Sequence, residues 1–268
     1  MKLIDEIKKT VVFIGYSVQT KKTLEDIFIG TGFLLNINNY FYVCTAKHVI
    51  LDPVKNEIRK GIWAAIRLKA GKYQKIDFDN IKQKYSVDWL FHPVQKYDIA
   101  LLPIELNQEN NDFKLIPKDL FFESVKNKKT PELLQVFFCS YQPGVEKIKD
   151  INPIIRTGFI SRVNKDNSLI IDANTFPGNS GSPVFVAPTT GLVSDEGTQI
   201  GNPFSGKFLG VITSYIPYRD VAESKQTGNP RIIFEENTGL ANVHTHNVLE
   251  ELIKSKSFKN QLTHLKQL

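Results

Sequence analysis

The chain has 268 residues, with 34 Lys+Arg against 28 Asp+Glu for a formal net charge of +6, and 41% of it is apolar. That apolar content excludes disorder as the main state and supports a sizeable core. The longest apolar runs, such as Val11–Tyr16 and Val136–Cys139, fall far short of the roughly 18 residues a membrane-spanning helix requires, and the scattered, acid-interleaved basic residues argue against a nucleic-acid partner or a membrane surface.

The first residues, Lys2–Lys9, read as a charged, helix-like segment. Charges stand where a signal peptide needs its apolar stretch, so a cytoplasmic location is expected. From Val11 onward the dominant pattern is short runs of Val, Ile, Phe and Tyr separated by Gly, Asn, Asp and Lys, which is the punctuation of an all-β fold. Predicted strands of the first half are Val11–Val18, Ile27–Leu35, Tyr40–Thr45, Ile62–Leu68, Ser86–Phe91 and Ile99–Ile104. Those of the second half are Leu134–Cys139, Ile154–Val163, Ser168–Asp172, Pro183–Val186, Lys207–Tyr215 and Ile232–Phe234. Asn36–Asn39 and Asn164–Asn167 read as hairpin turns. The polar stretch Glu105–Pro131 separates the two clusters, which divides one domain into an N-terminal unit (10–110) and a C-terminal unit (132–242). Thr189–Gly206 and Pro217–Pro230 read as long, movable loops. Helical spacing of Val248, Leu249, Leu252 and Ile253 marks a C-terminal helix within 243–268, followed by a basic tail with Lys254, Lys256, Lys259 and Lys266. The two cysteines, Cys44 and Cys139, lie in apolar runs and are expected to be buried, reduced thiols.

Three short motifs carry chemistry. In Phe176-Pro-Gly-Asn-Ser-Gly-Ser-Pro183 a serine between glycines lets amide N–H groups converge beside a hydroxyl, which is how an oxyanion hole is built. Thr45-Ala-Lys-His-Val49 puts a histidine where the chain leaves a strand, a place for a general base on a rigid scaffold. Tyr97-Asp-Ile-Ala-Leu-Leu102 sets an acid directly before an apolar strand, where it can orient an imidazole. Taken together, His48, Asp98 and Ser180 supply a base, its orienter and a nucleophile. His244-Thr-His246 offers only two ligands, too few for a zinc site, and no metal or cofactor is expected.

On these motifs the sequence resembles the trypsin/chymotrypsin-like serine peptidases, and more closely their bacterial branch that includes the HtrA-type proteases. Phe208-Leu-Gly-Val-Ile-Thr-Ser-Tyr215 is similar to the family's substrate-pairing strand. The resemblance implies two six-stranded β-barrels with the active site between them, and a serine endopeptidase acting through an acyl-enzyme. It also implies an oxyanion hole from the backbone N–H groups of Gly178 and Ser180, and a specificity pocket with Asn174 at its floor and Ser214, Tyr215 and Ile216 along its edge. With no acid at Asn174, polar uncharged or small-to-medium apolar side chains are expected there rather than Lys or Arg. No PDZ-like segment follows, so a stand-alone peptidase domain is expected. The position that carries an Asp in cleavage-activated relatives is Asn179, which has no charge to attract a new N-terminal ammonium. Control is therefore expected from a regulatory protein partner, an oligomer or a loop rather than from zymogen cleavage. The alternative class is a non-catalytic protease-like module that binds peptides without turnover.

Overall fold

The computed structural model describes residues 2–21, 23–122, 132–142, 151–188, 191–194, 197–200 and 205–268. Helix α1 (Lys2–Lys8) leads into β1 (Val11–Gln19), β2 (Leu24–Ile37), β3 (Tyr40–Thr45), the single turn α2 (Lys47–Ile50), β4 (Ile62–Arg67), β5 (Tyr73–Asp77), α3 (Phe78–Tyr85), β6 (Leu90–Phe91), β7 (Ala100–Pro103) and β8 (Ile116–Pro117). These strands form an eight-stranded sheet in the order β5-β4-β1-β2-β3-β7-β6, with β8 beside β2. The second half holds β9 (Gln135–Ser140), β10 (Ile154–Val163), β11 (Ser168–Asp172), β12 (Pro183–Val186), β13 (Gly191–Ser194), β14 (Gly197–Ile200), β15 (Phe208–Glu223) and β16 (Pro230–Thr245), then α4 (His246–Lys254) and α5 (Lys256–Leu265). Six of these strands close into a barrel ordered β10-β11-β16-β15-β12-β9, and β13 and β14 form a separate hairpin.

Burial on both faces of β1 explains how the halves join. Val12 and Ile14 point into the first unit, among Leu34, Val43, Ile62 and Ala64. Their neighbours Val11 and Phe13 point the other way, into a cluster shared with Phe137, Cys139, Phe185 and Phe208 of the second unit. A third cluster, with Val136, Phe138, Leu169 and Val243, fills the closed barrel. Alternating side chains on each strand thus serve the interior of a unit and the interface between the units.

The all-β, two-unit architecture is the one expected, with differences in detail. The first unit has eight strands, because β5 and the short β8 add to the expected set. Of the run Ser86–Phe91 only Leu90–Phe91 is strand; α3 precedes it, capped by Asp77, whose carboxylate accepts from Asn80 N at 2.9 Å, and ended by Ser86 in the left-handed region (φ 50°). The turn at Asn38 and Asn39 has φ of 52° and 67°, the two positive values that a type I′ hairpin demands. Two expected loops carry strands: Gly191–Ser194 pairs with Gly197–Ile200, and β15 and β16 run on as a ribbon from Pro217↔Asn237 to Glu223↔Pro230. The rest of Thr189–Gly206 and the connection at 123–131 lie mainly outside the described residues.

The expected basic tail is helix α5. Ser255 accepts from Phe258 N at 3.2 Å as its cap. The helix crosses back to the first unit, where Phe258 stacks on Tyr42 at 5.5 Å, Gln261 Nε2 donates to the Asp88 carbonyl at 2.7 Å and His264 Nε2 donates to the Tyr85 carbonyl at 2.9 Å. Cys44 and Cys139 are both free and buried. Burial raises both thiol pKa values, that of Cys139 to about 12. No helix among the described residues is long and apolar enough to cross a membrane.

Candidate active site

The chain leaves β3 at buried Thr45 and turns once through α2, whose Val49 and Ile50 are buried and anchor it. His48 lies on the outer side of that turn, its side chain 52% exposed. Asp98 reaches it from the start of the β7 segment. One carboxylate oxygen, Oδ1, accepts from the His48 amide at 2.9 Å, and Oδ2 lies 2.6 Å from His48 Nδ1. A carboxylate only accepts, so Nδ1 carries the proton and Nε2 is left as the basic nitrogen facing the cleft. Burial alone would raise the Asp98 carboxyl, but the hydrogen bonds from the His48 ring and amide, with the electrostatic influence of the His48 and His244 rings, outweigh it and hold the carboxyl below its ordinary 3.8. Asp98 therefore stays ionised throughout the neutral range.

Behind Asp98, Tyr97 is sandwiched edge-on between His92 at 4.6 Å and His244 at 5.3 Å, and its hydroxyl donates to the Asp166 carbonyl of the second unit at 3.0 Å. His244 Nδ1 is buried and, among the described residues, has no hydrogen-bond partner. Burial lowers the His244 pKa from 6.5, with His92 and Lys96 helping and Asp98 and Asp166 opposing. The unfolded chain therefore binds this proton at higher pH than the folded one, so the stability associated with neutral His244 is complete above pH 6.5 and declines as pH falls below it. We expect His244→Phe to flatten the fall in thermal midpoint between about pH 7 and 5.5 by about 2–4 °C; parallel wild-type and variant curves would refute this.

The nucleophile loop lies between β11 and β12. Its backbone can be accounted for group by group: Phe176 N donates to Asn179 Oδ1 at 2.8 Å, Pro177 has no N–H, and Asn179 N donates to the Phe176 carbonyl at 2.9 Å. Among the described residues nothing accepts from Gly178 N or Ser180 N, the two amides expected to form the oxyanion hole. Gly178 sits at φ 97°, a value that favours glycine. Ser180 Oγ donates to the Thr213 carbonyl at 3.1 Å rather than to His48.

Ser180 and His48 share a cleft of about 400 Å³ with Ile29, Thr175, Gly178, Ser214, Tyr215 and Pro217. A second cleft of about 500 Å³ continues from it past His48, Pro177 and Gly178 toward Leu51 and Arg59. The two clefts share His48, Pro177 and Gly178 and together form a groove. Of the expected specificity residues, Ser214 and Tyr215 line it and Ile216 does not; the Ile216 carbonyl instead accepts from Thr238 Oγ1 at 2.5 Å. Asn174 is not the floor. Along this segment Ala173 and Thr175 are buried and Asn174 faces outward, so Thr175 takes the lining position. Sequence reasoning missed Arg219 and Glu235, which the β15–β16 ribbon brings to the cleft, paired at 2.9 Å with Glu235 also accepting from Tyr215 Oη. Only their cross-strand register could have signalled it. The Ser214 hydroxyl accepts from Asn242 Nδ2 at 3.0 Å.

His244 and His246 diverge, the first toward Tyr97 and the second toward Phe121 and Phe122. Among the described residues no three metal-ligating side chains gather.

A family model for the trypsin-like peptidase domain matches residues 30–193. The chain belongs to that family. The match spans all three motifs, with His48, Asp98 and Ser180 inside it. Among solved structures, this trypsin-like peptidase domain is similar to a serine endoprotease from Yersinia pestis, with 17% identity and a TM-score of 0.51 over 97% of this chain and 66% of that one. At that identity the likeness supports the fold, and this chain spans 66% of the length of the other. No curated protein matches the sequence.

Proposed function

We propose that the protein is a serine endopeptidase in which Ser180 attacks the scissile carbonyl, His48 is the general base and acid, and Asp98 holds the imidazole. The observation that carries this reading is the double hydrogen bond from His48 to Asp98, which leaves Nε2 as the basic nitrogen of a ring that lines the same cleft as Ser180. In the reaction Ser180 Oγ leaves the Thr213 carbonyl and bonds to the substrate carbon, while its proton passes to His48 Nε2. The carbonyl π electrons move to oxygen, and this oxyanion accepts from Gly178 N and Ser180 N. Collapse of the intermediate breaks the C–N bond, and the amine departs with the proton from His48. Water, deprotonated by the same nitrogen, then frees the acid and restores Ser180. The groove suits an extended protein or peptide chain. Access is gated by a protein partner or by the β15–β16 ribbon, whose Pro217, Arg219 and Glu235 line the cleft. A cytoplasmic setting remains part of this reading.

The bond from Ser180 Oγ to the Thr213 carbonyl favours a second reading, a peptide-binding module without turnover. A fluorophosphonate probe separates the two, because it bonds only to an activated serine. Stoichiometric labelling of wild type at Ser180, with none in Ser180→Ala, is expected for the peptidase; a wild-type chain that takes no label yet binds peptides is the module.

A further inference from the structure

Thr31 stands in the first unit, on β2, with its side chain fully buried, and its hydroxyl reaches across to the nucleophile loop of the second. Oγ1 lies 2.7 Å from the Gly178 carbonyl and 2.9 Å from Tyr141 N. The Tyr141 amide can only donate and the Gly178 carbonyl can only accept, so the single hydroxyl proton points at Gly178. The same residue donates its amide to the Ser180 carbonyl at 3.0 Å, and its own carbonyl accepts from Thr45 Oγ1 at 2.7 Å, at the foot of the turn that carries His48. Tyr141 closes a ring: its carbonyl accepts from Asn179 Nδ2 at 2.6 Å.

Gly178 has no side chain, and its φ of 97° lies where a glycine backbone turns freely. Nothing in the residue itself holds its N–H toward a substrate. Its carbonyl lies in the peptide plane shared with Asn179 and its amide in the preceding plane shared with Pro177; the two planes meet at the Gly178 α-carbon, so a carbonyl held by Thr31 fixes the pivot from which the Gly178 amide is aimed. In a chain of hydrogen bonds running from the Tyr141 amide through a buried hydroxyl to this carbonyl, each bond strengthens the next.

We propose that Thr31 is a positioning residue for the oxyanion hole: its hydroxyl holds the Gly178 carbonyl so that the Gly178 amide stays aimed at the developing charge. The proposal rests on the peptidase reading. Thr31 is not among the residues that line the cleft and its hydroxyl proton goes to Gly178, so loss of the hydroxyl affects the transition state and leaves substrate binding alone.

The test compares Thr31→Val, which keeps the shape and removes the hydroxyl, with Thr31→Ser, which keeps the hydroxyl. The readouts are the rate of fluorophosphonate labelling, kcat and KM on a fluorogenic peptide that wild type cleaves, and the thermal midpoint. Thr31→Val is expected to label at least about 30-fold more slowly, approaching the roughly 100-fold loss of a missing oxyanion donor. Its kcat should fall by the same factor with KM unchanged, while Thr31→Ser stays within about threefold of wild type. A wild-type rate in Thr31→Val, a defect in KM alone, or failure of Thr31→Ser to rescue overturns the proposal. If Thr31→Val does not fold, Thr31→Ala takes its place, and if no hydroxyl-free variant folds, Thr31 is a stability residue and the proposal fails. A wild-type chain that takes no label overturns the peptidase reading itself, whereas a labelled wild type with an equally labelled, folded Thr31→Val overturns only the role of Thr31.

Discussion

Ser180→Ala is expected to lower kcat by about 10⁶ while leaving the thermal midpoint unchanged, and His48→Ala to do the same. Among the described residues the Ser180 hydroxyl is bonded only to the Thr213 carbonyl, and it lines the cleft, so its loss opens no cavity. The double variant should be no worse than either single one, because nucleophile and base act in one proton transfer and fail together. Steady-state hydrolysis of a fluorogenic peptide, with a melting curve for each variant, measures both halves of the claim. Peptide cleavage at the wild-type rate by either single variant would end the triad assignment.

Gly181→Ala is expected to be the most destabilising small change near the site. Gly181 has φ 87°, and a Cβ there would lie 1.9 Å from the Thr31 carbonyl oxygen and 2.3 Å from Thr45 Oγ1. Both atoms are buried, so the nucleophile loop must separate from β2 and β3 to make room. A loss of about 4 kcal/mol or more follows, about 10 °C in thermal midpoint. Gly71→Ala supplies the control: φ is 80° but nothing lies within 4 Å of its Cβ, so only the backbone strain of about 1–2 kcal/mol remains. Equal melting of the two variants would show that the contact between the nucleophile loop and the first unit is not tight.

Strands were legible where they spell apolar runs, as Tyr40–Thr45 and Pro183–Val186 do, or where apolar residues gather between turn signals, as in Ile154–Val163 and Ser168–Asp172; all four are found at the predicted bounds. His48 and Asp98 were legible because a histidine after a strand and an acid before one are local patterns, and the fold brings the two into contact. Elements with little burial were not. The outer ribbon of β15 and β16 exposes most of both faces, including Tyr218 and Val221, so Pro217–Pro230 shows no alternation of apolar and polar residues and reads as a loop, and of the return strand's outer part only Ile232–Phe234 reads as strand. Helix α5 was missed although Ser255 caps it and Phe258, Leu262 and Leu265 recur at helical spacing; the surrounding lysines masked that stripe. The family resemblance implies Asn174 at the pocket floor, but the alternation of the preceding strand turns it outward. The hydroxyl of Thr31 meets Gly178 from 147 positions away, a pairing that no local pattern encodes.

The crossing of α5 over the first unit also sets an order of events during synthesis. Leu265 belongs to the same apolar cluster as Val12, Leu34 and Trp89, and Tyr40 Oη donates to its carbonyl at 3.3 Å. All strands of the first sheet have left the ribosome once β8 is made, yet the cover for this part of the sheet arrives roughly 150 residues later, a wait of about 10–30 s at ordinary elongation rates. For that interval the nascent sheet presents Tyr42 and its neighbours to the surrounding solution.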